Sequence, residues 1–186
     1  MAYDEARKAL SGKETAQFYK GALERSHEFR DAYGKRRGVV KAEEMPWEDS
    51  PQGKLKHVID EALDTRECAL DIYQQVIPPG SCTGRHRHMS EEVFFVLEGR
   101  GYDLHWDVDY DCEEEYSWGW KKESQKFEWE GGDFVCIPPY SMHQHFNVDE
   151  VDRARIITAT SRIIRALGFD WLDQVESSPD YVDSGG

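Results

Sequence analysis

The chain has 186 residues, a length that fits one domain with an extension. Its 37 acidic and 23 basic side chains give a net charge of −14, which argues against binding to the phosphate backbone of nucleic acids. No segment approaches the roughly 20 consecutive apolar residues of a membrane span, and the charged N-terminus lacks the apolar core of a signal peptide. We therefore expect a cytoplasmic protein without nucleic-acid or membrane partners.

The first 53 residues are predicted to form a helical arm and a connection. Apolar side chains recur every three or four residues in residues 13–33, which is typical of an α-helix, and Gly34 fits its C-terminal end. Residues 35–53 combine charged clusters with two prolines, a composition that predicts an irregular connection. We expect the arm to have a packing role and no catalytic one.

From residue 55 onward, the sequence predicts short strands separated by turns rich in glycine and proline. The predicted strands are residues 55–59, 68–77, 93–97, 102–108, 126–129, 133–137, 143–148 and 155–159. Many short strands at close spacing favour an all-β barrel or sandwich over a fold of alternating strands and helices. We expect the barrel to occupy residues 54–172.

Three other segments accompany these strands. Residues 107–124 predict a solvated hairpin; its alternating aspartates imitate a calcium loop, but Cys112 and Trp118 stand where that loop needs glycine and glutamate. Residues 162–172 predict a short helix that closes the barrel. Residues 173–186 predict an acidic, frayed tail.

Five of the seven histidines lie in or between two short motifs. On an extended chain, His86 and His88 project to the same face, so their imidazoles can bind one ion together. Glu92 has the same parity if that strand continues, and His143 from a distant strand would complete the set. Three imidazoles and one carboxylate suit a first-row transition ion such as Fe(II), Mn, Ni or Zn. The pattern therefore predicts a metal site.

The spacing of these residues resembles the two motifs of the cupin superfamily, a family of small barrels built as a double-stranded β-helix. The first motif is matched by Gly80, His86, His88, Glu92 and Gly99. The second motif is matched by Gly132, Pro138, His143 and Asn147. Tyr140 stands where the second motif usually has glycine, a departure that affects a turn and no ligand. The resemblance covers roughly residues 55–159 and implies a cupin barrel with an N-terminal helical extension.

Within the cupins, the residues around the motifs are similar to those of gentisate-type aromatic ring-cleaving dioxygenases. The similar stretches are residues 79–80, 85–88, 95–99, 132–133 and 143–147. Those enzymes typically hold iron with three histidines and no acid, so Glu92 is closer to the three-His-one-Glu pattern of quercetin- and acireductone-type dioxygenases. The resemblance implies a dioxygenase that uses Fe(II) and O2 on a small, hydroxylated aromatic molecule.

Two other classes of function would use the same ligands. A cupin lyase, decarboxylase or isomerase would carry out metal-assisted chemistry without consuming oxygen. A non-catalytic cupin would bind a small ligand and retain the metal for stability. Metal content and oxygen uptake distinguish these alternatives from a dioxygenase.

Three polar side chains near the motifs are candidates for contact with substrate. His145 shares the face of His143 and is expected to shuttle protons or donate a hydrogen bond; a bond to a neighbouring backbone carbonyl is the alternative. Alternation in residues 68–77 places Gln74 on the inward face, where it would bind substrate or the backbone. Asn147 is the third candidate, for substrate binding. Because pairing of sheet edges removes exposed strand edges, we also expect a homodimer.

Overall fold

The computed structural model describes residues 16–114 and 116–183, and the chain divides after residue 37 into two compact units. The described part of the first unit contains helix α1 (Phe18–Tyr33), as the apolar periodicity predicts. Residues 13–15 of the predicted helix lie outside the described residues. Gly34 follows α1 with a right-handed backbone (φ −62°), so it ends the helix without the left-handed turn that glycine often supplies.

The second unit contains thirteen strands and one short α-helix among its described residues. In chain order the elements are β1 (Trp47–Ser50), β2 (Gly53–Ile59), β3 (Leu70–Ile77), β4 (Arg85–His88), β5 (Glu92–Glu98), β6 (Arg100–Trp106), β7 (Val108–Asp111), β8 (Ser117–Trp120), β9 (Gln125–Glu130), β10 (Phe134–Ile137), β11 (Met142–Asn147), β12 (Ala154–Ser161), α2 (Ile163–Ala166) and β13 (Leu172–Glu176). Single turns of 3-10 helix lie at Ala42–Glu44 and Glu61–Leu63.

The strands of the second unit form two main antiparallel sheets. One has six strands in the order β1-β2-β3-β12-β5-β10, and the other has five in the order β13-β4-β11-β6-β9. A separate two-stranded sheet is formed by β7 and β8. The predicted all-β architecture is therefore confirmed.

The core lies between the two main sheets and follows from the alternation of side chains along each strand. In β5, Phe94 and Val96 are fully buried, whereas Val93 before them and Leu97 after them face outward. The ring of Phe94 packs edge-on against Trp129 of the opposite sheet, with 6.2 Å between the ring centroids. Aromatic pairs in this arrangement add to the stability that burial supplies. Apolar side chains therefore join the two sheets at this level of the interior.

All eight predicted strands are present, and the structure adds strands that the sequence analysis assigned to a connection and a tail. Residues 47–50 form β1, which pairs with β2, and residues 172–176 form β13, which pairs with β4. The tail is therefore ordered at its start, and Ser178 beyond it is buried. The predicted closing helix is shorter than expected because Gly168, with a φ of +86°, breaks the chain direction after α2.

No helix in the described ranges is both long enough and apolar enough to cross a membrane.

Candidate metal centre

Four side chains from three strands converge inside the barrel. His86 and His88 lie on β4, Glu92 begins β5, and His143 lies on β11 directly opposite His86 in the strand pairing. One potential ligand atom from each side chain lies within 4.8 Å of every other. The structure thus brings together all four side chains that the sequence analysis singled out as metal ligands.

Each of the three histidines is oriented by a hydrogen bond from its ring to the backbone. The Nδ1–H group donates to a carbonyl oxygen two residues away, at 2.8 to 3.1 Å. The pairs are His86 with Gly84, His88 with Ser90, and His143 with Ser141. In the neutral imidazole this contact leaves the lone pair on Nε2, as outer hydrogen bonds commonly do for histidines that bind metal. All three Nε2 atoms are therefore available as ligands.

The charges of these groups favour a cation. Burial lowers the pKa of His86 to about 4 and holds the pKa of His143 well below its usual value, so both imidazoles are neutral at pH 7. Burial alone would raise the pKa of Glu92, but the hydrogen bond from His88 and the neighbouring imidazoles lower it below its ordinary value. The carboxylate of Glu92 and the imidazoles of His86 and His143 are therefore in the protonation states of metal ligands.

Three buried polar atoms in this region have no hydrogen-bond partner among the described residues. They are Oε1 of Glu92, Nε2 of His143 and Nε2 of His145. A buried polar atom without a partner costs free energy, and native structures contain few of them. Since two of the three belong to the four-residue cluster, a bound ion would satisfy atoms that the protein leaves unsatisfied. Three imidazoles and a carboxylate fit a divalent first-row transition ion.

His145 lies next to this cluster and is held by a carboxylate. Its Nδ1 donates to Asp103 at 2.9 Å, and its Nε2 lies 3.7 Å from Oε1 of Glu92. Asp103 is fully buried and also accepts hydrogen bonds from His105 at 3.2 Å and from Trp129 at 2.8 Å. The alternative expectation, a bond from His145 to a neighbouring backbone carbonyl, is wrong because Asp103 takes that position.

Gln74 does not lie at the site. The interior face of β3 carries Tyr73, Gln75 and Ile77, and Gln74 is on the opposite face. The Tyr73 hydroxyl lies 3.5 Å from Oε2 of Glu92, which places it beside the cluster. The prediction for Gln74 failed because polar and aromatic side chains occupy the interior face of this strand, whereas its outer face includes the apolar Ile72.

Asn147 is buried, but its hydrogen bonds are used within the protein. Its amide nitrogen donates to the backbone carbonyls of Ile77, Pro78 and Asp152 at 2.9 to 3.2 Å. Its amide oxygen accepts from the backbone nitrogen of Asp149 at 3.0 Å. Asn147 therefore joins two loops, and no polar atom remains to bind substrate as the sequence analysis expected.

Gln52 is a side chain at the site that the sequence analysis missed. It lies at the tip of the β1–β2 hairpin, and its Nε2 donates to Nε2 of His86 at 2.8 Å. The same amide group lies 3.3 Å from the hydroxyl of Tyr73. Gln52 also lines a cavity of about 200 Å³ that borders Gln75, Cys82 and other residues. No local sequence pattern predicts the contact between Gln52 and His86, because these residues are 34 positions apart.

The sequence predicts a solvated hairpin in residues 107–124. In the structure, the β7–β8 hairpin packs on the turn that precedes His143. Trp120 donates from its ring nitrogen to the carbonyl of Tyr140 at 3.1 Å. The rings of Trp118, Trp120 and Trp171 lie 5.3 to 6.3 Å from that of Tyr140. Tyr140 adopts a φ of +63°, the left-handed conformation that explains why glycine is usual at this point of the motif.

Comparison with known proteins gives the family of the chain. The family model described as auxin binding protein matches residues 35–172. An uncharacterised protein, MJ1618 of Methanocaldococcus jannaschii, is 32% identical over 81 residues, which are 43% of this chain and 51% of that protein. The chain thus spans about half the length of this curated relative.

Solved structures show the same fold at low sequence identity. Oxalate decarboxylase of Bacillus subtilis has a TM-score of 0.54 at 14% identity, over 71% of this chain and 30% of that one. Oxalate decarboxylase of Lactobacillus farciminis has a TM-score of 0.51 at 14% identity, over 68% of this chain and 34% of that one. Hazelnut vicilin has a TM-score of 0.50 at 17% identity, over 66% and 32% of the two chains.

These likenesses concern the fold, since each match covers about a third of the other chain and its identity is low. Together with the two-sheet architecture and the cluster of three histidines and one glutamate, they confirm the predicted cupin barrel. The family model spans both motifs and most of the second unit. The chain is therefore a cupin-type protein that belongs to the auxin binding protein family.

Proposed function

We propose that this chain is a metal-dependent dioxygenase that acts on a small, hydroxylated aromatic molecule. His86, His88, Glu92 and His143 would hold the metal, with Fe(II) expected and Mn, Ni or Zn as alternatives. The observation that carries the proposal is the convergence of these four side chains, in which Oε1 of Glu92 and Nε2 of His143 have no hydrogen-bond partner. The three-His-one-Glu set is also the source of the dioxygenase assignment, together with the resemblance of the motif strands to gentisate-type enzymes.

The protein would contribute orientation and exclusion of water. A bound Fe(II) ion would supply the redox chemistry with O2. His86, Glu92 and His143 are almost completely buried, so bulk water has little access to the ligand atoms. Asp103 orients His145, whose Nε2 faces Oε1 of Glu92 at 3.7 Å, and the hydroxyl of Tyr73 lies 3.5 Å from Oε2. The fixed shell would restrain Glu92 while the two reactants are oriented on the ion.

A second candidate is the binding of a small ligand without turnover. The family model is described as auxin binding protein, which supports ligand binding at this barrel. A third is lyase, decarboxylase or isomerase chemistry, since two of the structures with the same fold are oxalate decarboxylases. Both would use the same four side chains, so the reaction has to be distinguished by experiment.

The test is oxygen uptake by the protein loaded anaerobically with Fe(II), followed against a panel of hydroxylated aromatic acids and enediols. A dioxygenase consumes oxygen only with its substrate, and the His143→Ala variant loses this uptake. His57→Ala is the matched control, because His57 lies on β2 and bonds to Glu48 outside the cluster. Conversion of a compound without oxygen uptake would support the lyase class, and binding without conversion would support a binding protein.

We further propose that the chain forms a homodimer through the outer face of the six-stranded sheet. Val93, Leu97 and Phe134 face outward on β5 and its edge neighbour β10, and Phe134 is 69% exposed. Apolar patches of this kind commonly mark interfaces, and an open sheet edge invites pairing. Light scattering of the wild type and of Phe134→Glu tests this. A dimer that becomes a monomer in the variant supports the proposal, and a monomeric wild type contradicts it.

A further inference from the structure

The tip of the β1–β2 hairpin is fixed against the strand that carries two of the proposed ligands. The carbonyl of Gln52 accepts hydrogen bonds from the backbone nitrogen of Gly84 at 3.1 Å and from the side chain of Gln75 at 2.9 Å. The neighbouring carbonyl of Pro51 accepts from the backbone nitrogen of Ser178 at 2.7 Å. Three hydrogen bonds therefore fix the backbone of Pro51 and Gln52.

The approach of this tip to β4 is close. A Cβ atom at Gly84 would lie 2.4 Å from the carbonyl oxygen of Pro51, so only glycine fits there. Gly84 is two residues before His86 and also accepts the hydrogen bond from the His86 ring. The hairpin tip and the His86 imidazole therefore share one anchor, which sets the side chain of Gln52 beside that ring.

The hydrogen bond between Gln52 and His86 uses the atom that a metal requires. Since Nδ1 of His86 donates to Gly84, Nε2 carries the only ring lone pair, and the Gln52 amide donates to it at 2.8 Å. One lone pair cannot bind a proton donor and a metal at the same time. Metal binding at His86 therefore breaks this hydrogen bond and releases the amide of Gln52.

The released amide remains beside the metal because its backbone is fixed. It has two N–H donors, and the hydroxyl of Tyr73 is within 3.3 Å of its nitrogen. An oxygen-bearing anion on the metal is the partner that such a donor suits, because hydrogen bonds to charged acceptors are the stronger ones.

We propose that Gln52 is a specificity-determining residue of this centre: its amide caps His86 in the metal-free protein and donates to an oxygen-bearing anion on the metal in the loaded protein. This inference rests on the proposed binding of metal by the four-residue cluster. Gln52 thus has two opposite effects. Its amide competes with the metal for Nε2 of His86, and it strengthens the binding of an anion to the metal.

The test uses Co(II) as the metal and salicylate, a chelating hydroxylated aromatic acid, as the anionic probe. Gln52→Ala removes the amide and Gln52→Leu replaces it at similar size; Gln125→Ala is the matched control, because Gln125 is exposed at the start of β9. We expect both Gln52 variants to bind Co(II) about 2- to 10-fold more tightly in a chelator competition. We expect them to bind salicylate about 10-fold more weakly, measured from the visible absorption of the bound cobalt.

The outcomes separate this inference from the proposed function. If the wild type and the Gln125 variant bind no metal, the proposed function fails. If they bind metal and the Gln52 variants show unchanged affinity for cobalt or for salicylate, the inference is overturned. Weaker cobalt binding would also overturn it, since the amide oxygen would then be a ligand.

A second measurement uses the wild-type protein alone. The side-chain amide signals of Gln52 in nuclear magnetic resonance spectra of the 15N-labelled wild type are expected to shift when Zn(II) is added. They are expected to shift again when salicylate follows. Signals that stay in place at both steps would contradict the proposed exchange of partners.

Discussion

Nδ1 of His145 donates a 2.9 Å hydrogen bond to the carboxylate of Asp103, and the opposite nitrogen of the same ring lies 3.7 Å from Oε1 of Glu92. Asp103 thus controls the orientation of a ring that in turn faces a proposed metal ligand. The carboxylate is itself fixed by the indole N–H of Trp129. A buried aspartate, two residues before His105 on β6, therefore extends the metal centre by two layers of contacts.

Replacing Asp103 with asparagine is expected to weaken both the fold and the metal site. Asparagine keeps the size but exchanges one acceptor for a donor that faces the rings of His105 and His145. We expect a loss of about 2–3 kcal/mol in the free energy of unfolding of the metal-free protein. Because outer contacts orient the ligands, metal affinity is expected to fall about 10- to 100-fold. Urea denaturation and cobalt titration measure the two effects.

Asp109→Asn is the control for this change, since Asp109 is exposed on β7. It is expected to alter neither quantity. Wild-type stability and wild-type metal affinity in Asp103→Asn would show that the carboxylate does not position His145.

Metal affinity is expected to rise with pH through the neutral range. Burial opposes a charge on His88, but its hydrogen bond to Glu92 and the charge of that carboxylate outweigh this effect and raise the pKa of His88 above its ordinary value. Part of the metal-free protein therefore carries a proton on His88 near neutrality, and the metal has to displace it. The depressed pKa values of His86 and His143 leave no proton to displace there.

Calorimetric titration with Co(II) in two buffers of different protonation enthalpy measures the protons released. We expect net proton release at pH 6.5 and an affinity that increases up to pH 8. Absence of release at pH 6.5, or an affinity that falls as the pH rises, would contradict the proton on His88.

The strands and the four proposed ligands could be predicted because their signals are local. The alternation of apolar side chains defines β5 within a few residues, and the two histidines of β4 are two residues apart. The strands β1 and β13 carry no such alternation, since their sequences are mostly polar and their place in a sheet depends on β2 and β4. Whether these segments form strands depends on pairing partners elsewhere in the sequence, which a local pattern does not include.

The contacts around the ligands were missed for the same physical reason. Asp103 is 42 residues from His145, and Gln52 is 34 residues from His86. Alternation predicts that Gln74 faces inward, because Leu70, Ile72 and Val76 on the same side of the strand are apolar. In the structure those residues lie on the outer face of the sheet, and Tyr73 and Gln75 line the interior.

Tyr140→Gly is expected to loosen the β7–β8 hairpin without a large change in global stability. Glycine removes a left-handed strain of about 1–2 kcal/mol at φ +63°, and this offsets part of the lost contacts with Trp118, Trp120 and Trp171. Amide hydrogen exchange in residues 108–120 is expected to become about 10-fold faster. Tyr140→Phe keeps the ring and is expected to exchange like the wild type. Unchanged exchange in the glycine variant would contradict the packing of the hairpin on Tyr140.

Gly84→Ala is expected to destabilise the packing of residue 84 against the hairpin tip and against β13. The added Cβ would meet the carbonyl oxygens of Pro51 at 2.4 Å and Glu176 at 2.8 Å, and backbone cannot yield as a flexible side chain does. We expect a loss of about 1–3 kcal/mol in the free energy of unfolding, measured in urea. Gly119→Ala is the control, because a Cβ there would meet no atom within 4 Å. Equal stability of the two variants would contradict the close approach.

The assignment of the four ligands is tested by metal analysis of protein purified without oxygen. The measurement compares the wild type with His86→Ala, His143→Ala and the control His57→Ala. We expect one first-row transition ion per chain in the wild type and the control, and almost none in the two ligand variants. Full metal occupancy in both ligand variants, or a wild type that takes up no metal when offered Fe(II), would contradict the assignment of the four side chains as a metal centre.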